Sequence, residues 1–280
     1  MLSLNSIHFT YPKATTPLLE GINLNIEAGH TYGLLGANGE GKSTLLYIIA
    51  GLLHPKAGSA KFNDVETKHR LPSTLSEIFL VPEEILLPNI TLQQYVKLNA
   101  PFYPNFSEED LKNYLEQFRL DMNIHLGKLS MGQKKKAFVA FALACNTSLL
   151  LMDEPTNGLD IPGKADFRRA IVSAMNDDRT IIISTHQVRD LDRVLDHVVI
   201  MGRHKIILDA SINTLTEKFA FTNSNDAADC NGAYYFEAVP GGYDIISPNN
   251  NGIETDVNLE TLFNFVFTNP EKANQLLRTL

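Results

Sequence analysis

One short segment constrains this chain more than any other: Gly36-Ala37-Asn38-Gly39-Glu40-Gly41-Lys42-Ser43-Thr44. It satisfies the G-x-x-x-x-G-K-[ST] pattern, with a further glycine inside it. Glycines let the backbone curl so that successive N–H groups face inward, and a helix starting near Ser43 adds the positive end of its dipole. Such a loop works only between a buried strand and a helix. Both are legible here: Thr31–Leu35 reads as a short buried strand, and Leu45, Leu46, Ile49 and Leu53 fall at helical spacing until Pro55 and Gly58 end the run. Gly36, Asn38, Gly39, Gly41, Lys42, Ser43 and Thr44 are therefore expected to cradle phosphates. Lys42 would reach the outermost phosphates and the Ser43 hydroxyl would meet magnesium.

A second segment supplies what the loop lacks. Leu149-Leu150-Leu151-Met152-Asp153-Glu154-Pro155 is an apolar strand that delivers two carboxylates to its end. Asp153 is placed to organise magnesium and Glu154 to polarise an attacking water, because phosphoryl transfer depends on positioning and charge stabilisation. A third segment, Leu129-Ser130-Met131-Gly132-Gln133, opens a helix carrying Phe138, Phe141 and Ala142 on one face and extending to about Cys145. Ser130 and the N–H groups of Gly132 and Gln133 then form a helix start able to hold an anion. The following run Lys134–Lys136 reads as a solvated helix face.

The remaining pattern alternates strands with helices, which implies an α/β fold with a largely parallel sheet. Leu18, Ile22, Leu24 and Ile26 mark strands in the first 35 residues. Glu83–Asn123 has a helical texture, with capping-box-like starts at Thr91/Gln94 and Ser107/Asp110 and a face of Leu111, Tyr114, Leu115 and Phe118. Ile161–Met175 reads as helix, and Thr180–Ser184 and Val198–Met201 as strands. Beyond about Leu215 the chain turns asparagine-rich and acidic, with a hairpin expected across Pro240, Gly241 and Gly242. A loop is expected at Asn249–Asn251, then a helix with Leu259, Leu262, Phe263, Val266 and Phe267 on one face.

Composition narrows the function classes. The net charge is −8, and Glu217–Leu280 alone holds nine acidic and three basic residues, so a broad electrostatic grip on nucleic acid is not expected. Two cysteines, Cys145 and Cys230, are too few for a disulfide framework, and no signal-peptide pattern opens the chain. The longest apolar runs reach about half of the roughly 18 residues a membrane span requires.

The phosphate loop, Leu129–Gln133, Asp153-Glu154, Gly158-Leu159-Asp160 and His186 occur in the order and approximate spacing of one family. The chain resembles the ATPase subunit of an ABC transporter over about residues 1–215. The resemblance implies a P-loop cassette with a mostly parallel sheet, an antiparallel N-terminal β-region and a helical subdomain inserted at about 84–145. A small α+β appendage at 216–280 would follow. It also implies ATP and Mg2+ as ligands and hydrolysis carried by Lys42, Glu154 and His186.

Further roles follow residue by residue. Tyr11 matches the aromatic that stacks on adenine; Ser130, Gly132 and Gln133 match the signature that contacts the terminal phosphate bound to an opposite subunit. Asp160 matches the loop linking the two sites, and His186 the histidine that senses the terminal phosphate. Glu83 stands where glutamine is usual, still able to approach magnesium but adding negative charge, and Asn157 stands where serine is frequent. The implied partners are a second ABC ATPase subunit, identical or not, and an integral membrane permease, near which Ile85, Leu86 and Leu87 would sit. The implied place is cytoplasmic, at the inner face of the membrane, and the insert and tail resemble exporters of the antibiotic and multidrug type. A soluble mechanical ATPase of the same fold, acting in translation, DNA repair or iron-sulfur assembly, is the alternative. It lacks support from any heptad coiled coil or basic tail. Intact Lys42, Asp153, Glu154 and His186 argue against a catalytically silent regulator.

Overall fold

The structure is a computed structural model that describes residues 1–191, 194–250, 252 and 255–278. The chain runs β1 (Leu2–Phe9), β2 (Leu19–Ile26), β3 (Thr31–Gly36), α1 (Lys42–Ile49), β4 (Ala57–Phe62), β5 (Val65–Glu66), α2 (Pro72–Leu75) and β6 (Ile78–Val81). It continues through α3 (Leu92–Asn99), α4 (Glu108–Gln117), α5 (Met131–Ala144), β7 (Leu149–Asp153), α6 (Ile161–Ala174), β8 (Thr180–Thr185), β9 (His197–Gly202) and β10 (Lys205–Ser211). Last come α7 (Ile212–Lys218), β11 (Phe219–Ser224), β12 (Tyr235–Val239), β13 (Gly242–Pro248), α8 (Leu259–Thr268) and α9 (Pro270–Arg278).

The central sheet has the order β10-β9-β3-β8-β7-β6; every pairing in it is parallel except that of β10 with β9. Its middle strands are apolar runs because both faces are covered. The pleat divides β7 between two cores: Leu149 and Leu151 pack with α1 and the N-terminal strands, Leu150 and Met152 with α5 and α6. The first core also takes Leu45, Leu46, Ile48 and Ile49 of α1 and the inward residues of the antiparallel sheet β2-β1-β4-β5. Parallel order places the carboxyl ends of β3, β6, β7 and β8 along one edge, which is where open α/β sheets bind ligands.

Helices α3, α4 and α5 stand between β6 and β7 in the chain, and aromatic rings anchor α5 to the sheet. Phe79 of β6 lies 5.6 Å from Phe138 and 5.9 Å from Phe141, ring centre to ring centre. The expected caps form: Thr91 and Ser107 accept from the N–H groups of Gln94 and Asp110.

The C-terminal part is a three-stranded antiparallel sheet, β11-β13-β12, with its hairpin closing at Val239 and Gly242 as expected. Its apolar residues, among them Phe219, Ile246, Leu262 and Phe265, join the core that holds Leu208 and Leu215. The expected apolar face of α8 needs correction. Leu259, Leu262, Phe265 and Val266 are its buried stripe, whereas Phe263 and Phe267 lie on its flank and stack on each other at 5.6 Å. Phe265 turns inward because Tyr235 faces it, with ring centres 5.5 Å apart. Asn249 and Asn250 follow β13 outside any strand, while Asn251 lies outside the described residues.

Candidate nucleotide-binding site

The loop after β3 has the backbone its glycines suggest. Gly39 and Gly41 take φ of 88° and 97°, in the left-handed region where only glycine is at ease. A side chain at Gly41 would also meet Leu19 Cδ2 at 2.7 Å. Gly41 is the N-cap of α1 and gives it no side-chain cap, so the first N–H groups of that helix are left for a ligand. Lys42 folds back over the loop and its Nζ donates to the carbonyls of Gly36 (2.8 Å) and Ala37 (3.1 Å). Burial pushes the ammonium pKa down, opposed chiefly by the negative charge of Glu154 and then of Asp153. Glu40, an acid inside a phosphate loop, is turned to the turn between β9 and β10, where its carboxylate accepts the His204 N–H at 3.2 Å.

The end of β7 faces this loop. Asp153 is buried and accepts the Ser184 hydroxyl of β8. Glu154 takes φ of 46°, a left-handed conformation that a non-glycine residue holds only when its surroundings impose it. Its N–H donates to Ser184 O at 3.1 Å. Its carboxylate accepts from the His186 N–H at 3.0 Å, lies 2.8 Å from His186 Nδ1, and accepts from Thr185 Oγ1 at 3.2 Å. Lys42 Nζ stands 3.9 Å from Glu154 Oε1, joining the two halves of the site.

Asn38, Gly39, Gly41, Lys42, Ser43, Thr44, Glu83, Glu154 and His186 line one cavity of about 410 Å³ together with Leu18. Gly36 ends β3 at its edge, and Tyr11 reaches the loop by sharing a hydrogen bond with Thr44 Oγ1 at 2.9 Å. Ser130, Gly132, Gln133 and Asp160 are elsewhere. Ser130 caps α5 and exchanges hydrogen bonds with Gln133 in a full capping box. Gly132 packs on the following loop: a Cβ there would lie 3.0 Å from Gly158 O. Asp160 caps α6 by accepting the Gly163 N–H at 3.0 Å, and Lys136 Nζ approaches it at 3.5 Å. These residues form a second surface, with Met131 and Ile161 exposed beside them.

Several contributors escaped the sequence reading. Ser184 and Thr185 stand at the end of the apolar run Ile181–Ile183, and hydroxyls on so apolar a strand were the signal that it ends in a site. The reading of Lys134–Lys136 as a solvated face is wrong for Lys135, which is buried with its Nζ on Glu154 O at 3.0 Å. Val139 and Ala142 share its side of α5 and carry it into the core.

A phosphate loop after β3, acids at the end of β7 and a parallel sheet between helical layers define a P-loop nucleotide-binding cassette. The sequence profile of the ABC transporter family matches residues 19–157. The chain is 31% identical over 206 residues to the bacitracin transport ATP-binding protein BcrA of Bacillus licheniformis, covering 71% of this chain and 67% of that one. It is 32% identical over 212 residues to the lantibiotic transport ATP-binding protein SrtF of Streptococcus pyogenes, covering 75% and 90%. An ATP binding subunit of an ABC transporter shares the fold, with a TM-score of 0.69 at 24% identity over 77% of this chain and 91% of that one. The ATP-binding cassette MJ0796, solved as a post-hydrolysis dimer bound to ADP and Pi, matches with a TM-score of 0.66 at 25% identity over 75% and 98%. The chain belongs to the ABC transporter family, as an ATP-binding subunit.

Proposed function

We propose that this chain is the ATP-hydrolysing motor of an exporter, paired head to tail with a second cassette and driving a separate membrane permease. The observation that carries the reading is the seating of Glu154: its carboxylate is held by His186 and Thr185 and faces Lys42 at the mouth of the phosphate loop. In this reading the N–H groups of Gly39 and Gly41 and the start of α1 hold phosphate oxygens. Lys42 leaves its loop carbonyls for the outer phosphates, and Glu154 orients and takes a proton from the attacking water. His186 steadies both the Glu154 carboxylate and the terminal phosphate, and Tyr11 stacks on adenine. Ser43, Asp153 and Glu83 offer only oxygen donors, a set that suits magnesium, which usually completes its shell with phosphates and water. Among the described residues no group of three or more His, Cys, Asp or Glu side chains could hold a metal by itself. Magnesium bound there would offset negative charge on the phosphates.

Ser130, Gly132, Gln133 and Asp160 lie outside the cavity, so their roles require a second cassette to bring its own signature to this loop. No helix among the described residues is long and apolar enough to cross a membrane. In this reading a separate permease docks on the apolar groove of about 1060 Å³ lined by Leu52, Leu75, Leu80, Phe102 and Phe138. Leu86, 94% exposed in the segment leaving β6, is a further contact for it; its neighbours Ile85 and Leu87 are half-buried against the core. The subunit would then sit on the inner face of the cell membrane. The names of the bacitracin and lantibiotic transport relatives support an antibiotic as cargo. Affinity capture from detergent-solubilised membranes tests this: an integral membrane protein should be recovered, and recovery of soluble partners alone would overturn the exporter reading.

A further inference from the structure

Lys135 is the second lysine of three in the first turns of α5, and it is 4% exposed. A cation so deep must find a partner, and the partner it finds is informative. Its Nζ donates to the backbone carbonyl of Glu154 at 3.0 Å, the residue held in a left-handed conformation. The same carbonyl accepts the N–H of Asn157 at 3.2 Å. The Asn157 side chain in turn donates to Glu83 Oε1 at 3.2 Å. Four segments thus meet in one bonded chain: α5 through Lys135, the end of β7 through Glu154, the loop beyond it through Asn157, and the exit of β6 through Glu83.

The geometry points to Lys135 as a positioning residue for hydrolysis: from α5 it holds the Glu154 backbone in its left-handed turn and ties the catalytic carboxylate to the helical insert. The proposal rests on the reading of Glu154 as the group that acts on water. Lys42 stands 3.9 Å from the Glu154 carboxylate and Lys135 binds its backbone carbonyl, so two cations meet at one acidic residue. The acid at position 83, where glutamine is usual in the family, stands in the same charged network as a lysine that α5 buries. Burial lowers the Lys135 pKa, and Glu83 heads the groups that oppose the shift. A shift of α5 relative to the sheet would reach Glu154 through one hydrogen bond, without passing through the phosphate loop.

Two variants separate the hydrogen bond from bulk: Lys135→Met keeps the length and loses the donor, and Lys135→Gln keeps a donor without the charge. In the full chain, K135M should lower kcat about tenfold, the scale of one charge-assisted hydrogen bond. The Kd for a fluorescent ATP analogue should stay within about twofold, and K135Q should recover most of the loss. Amide exchange in the nucleotide-free protein gives an activity-independent reading: the turn from Glu154 to Asn157 should exchange at least about fivefold faster in K135M and at the unaltered rate in K135Q. Unchanged exchange in K135M overturns the proposal, as does an equal loss of kcat in both variants or a Kd that weakens in step with kcat. Should the unaltered chain hydrolyse no ATP, the assignment of Glu154 fails while the exchange comparison still decides whether Lys135 holds the turn.

Discussion

Helices α1 and α5 both present a positive N-terminus, yet they are finished in different ways. The start of α1 has glycine at its N-cap and no side chain bonded to its first N–H groups. The start of α5 has a serine and a complete capping box. An end left uncapped at the mouth of a cavity keeps its N–H groups available to a ligand, whereas an end that caps itself is stable without one. The contrast separates a site built within the chain from a surface that, in the proposed reading, acts on the nucleotide of another copy.

The largest test bears on the interior half. Glu154→Gln should lower turnover by roughly 10²–10⁴-fold, the range for a removed general base, while nucleotide binding persists. Light scattering should then show an ATP-bound dimer, and a mutant that stays monomeric at saturating ATP would break the division into two half-sites. Lys42→Ala should lower ATPase activity at least about a hundredfold, the scale for losing a preorganised donor. Unchanged steady-state rates would strip the loop of its catalytic role.

The surface half gives a finer test. Ser130→Ala removes a cap and should lower stability by about 1 kcal/mol in urea titration. Its ATPase activity should fall further than that loss explains, with nucleotide affinity of the isolated chain unaltered; a purely thermodynamic effect would reduce Ser130 to a cap. The smallest change is Tyr11→Phe, which removes the hydrogen bond to Thr44 and keeps the ring. Nucleotide Kd should weaken by no more than about fivefold, the weight of one neutral hydrogen bond. A much larger loss would make the hydroxyl, rather than the ring face, the point of contact.

Sequence pattern alone revealed the parts whose constraint is local. A phosphate loop is contiguous, and an apolar strand ending in acids advertises its own burial, so Gly36–Thr44 and Leu149–Glu154 were readable before any fold was in view. Contacts across long separations were not. Glu40 meets His204 only because β9 pairs with β3 in the sheet, and nothing near either residue announces the other. Lys135 was hidden by its neighbours: three consecutive lysines read as solvated until the 3.6-residue stripe through Val139 and Ala142 shows which one turns inward. On α8 the same stripe, Leu259, Leu262, Phe265 and Val266, selects Phe265 over Phe263 and Phe267, and Tyr235 faces it.

The division of β7 between two cores bears on what can move during a working cycle. Leu149 to Met152 are gripped from above and below and hydrogen-bonded to a parallel neighbour on each side. Asp153, the last residue of that strand, is thereby fixed like an anvil, whereas Glu154 just beyond it is held by the contacts of Ser184, His186 and Lys135. The elements hung on the sheet, among them the helices between β6 and β7 and the start of α5 around Gly132, lack that two-sided grip. An exchange map of the protein should show this as a gradient, with the slowest amides at Leu150–Met152 and the fastest near Gly132.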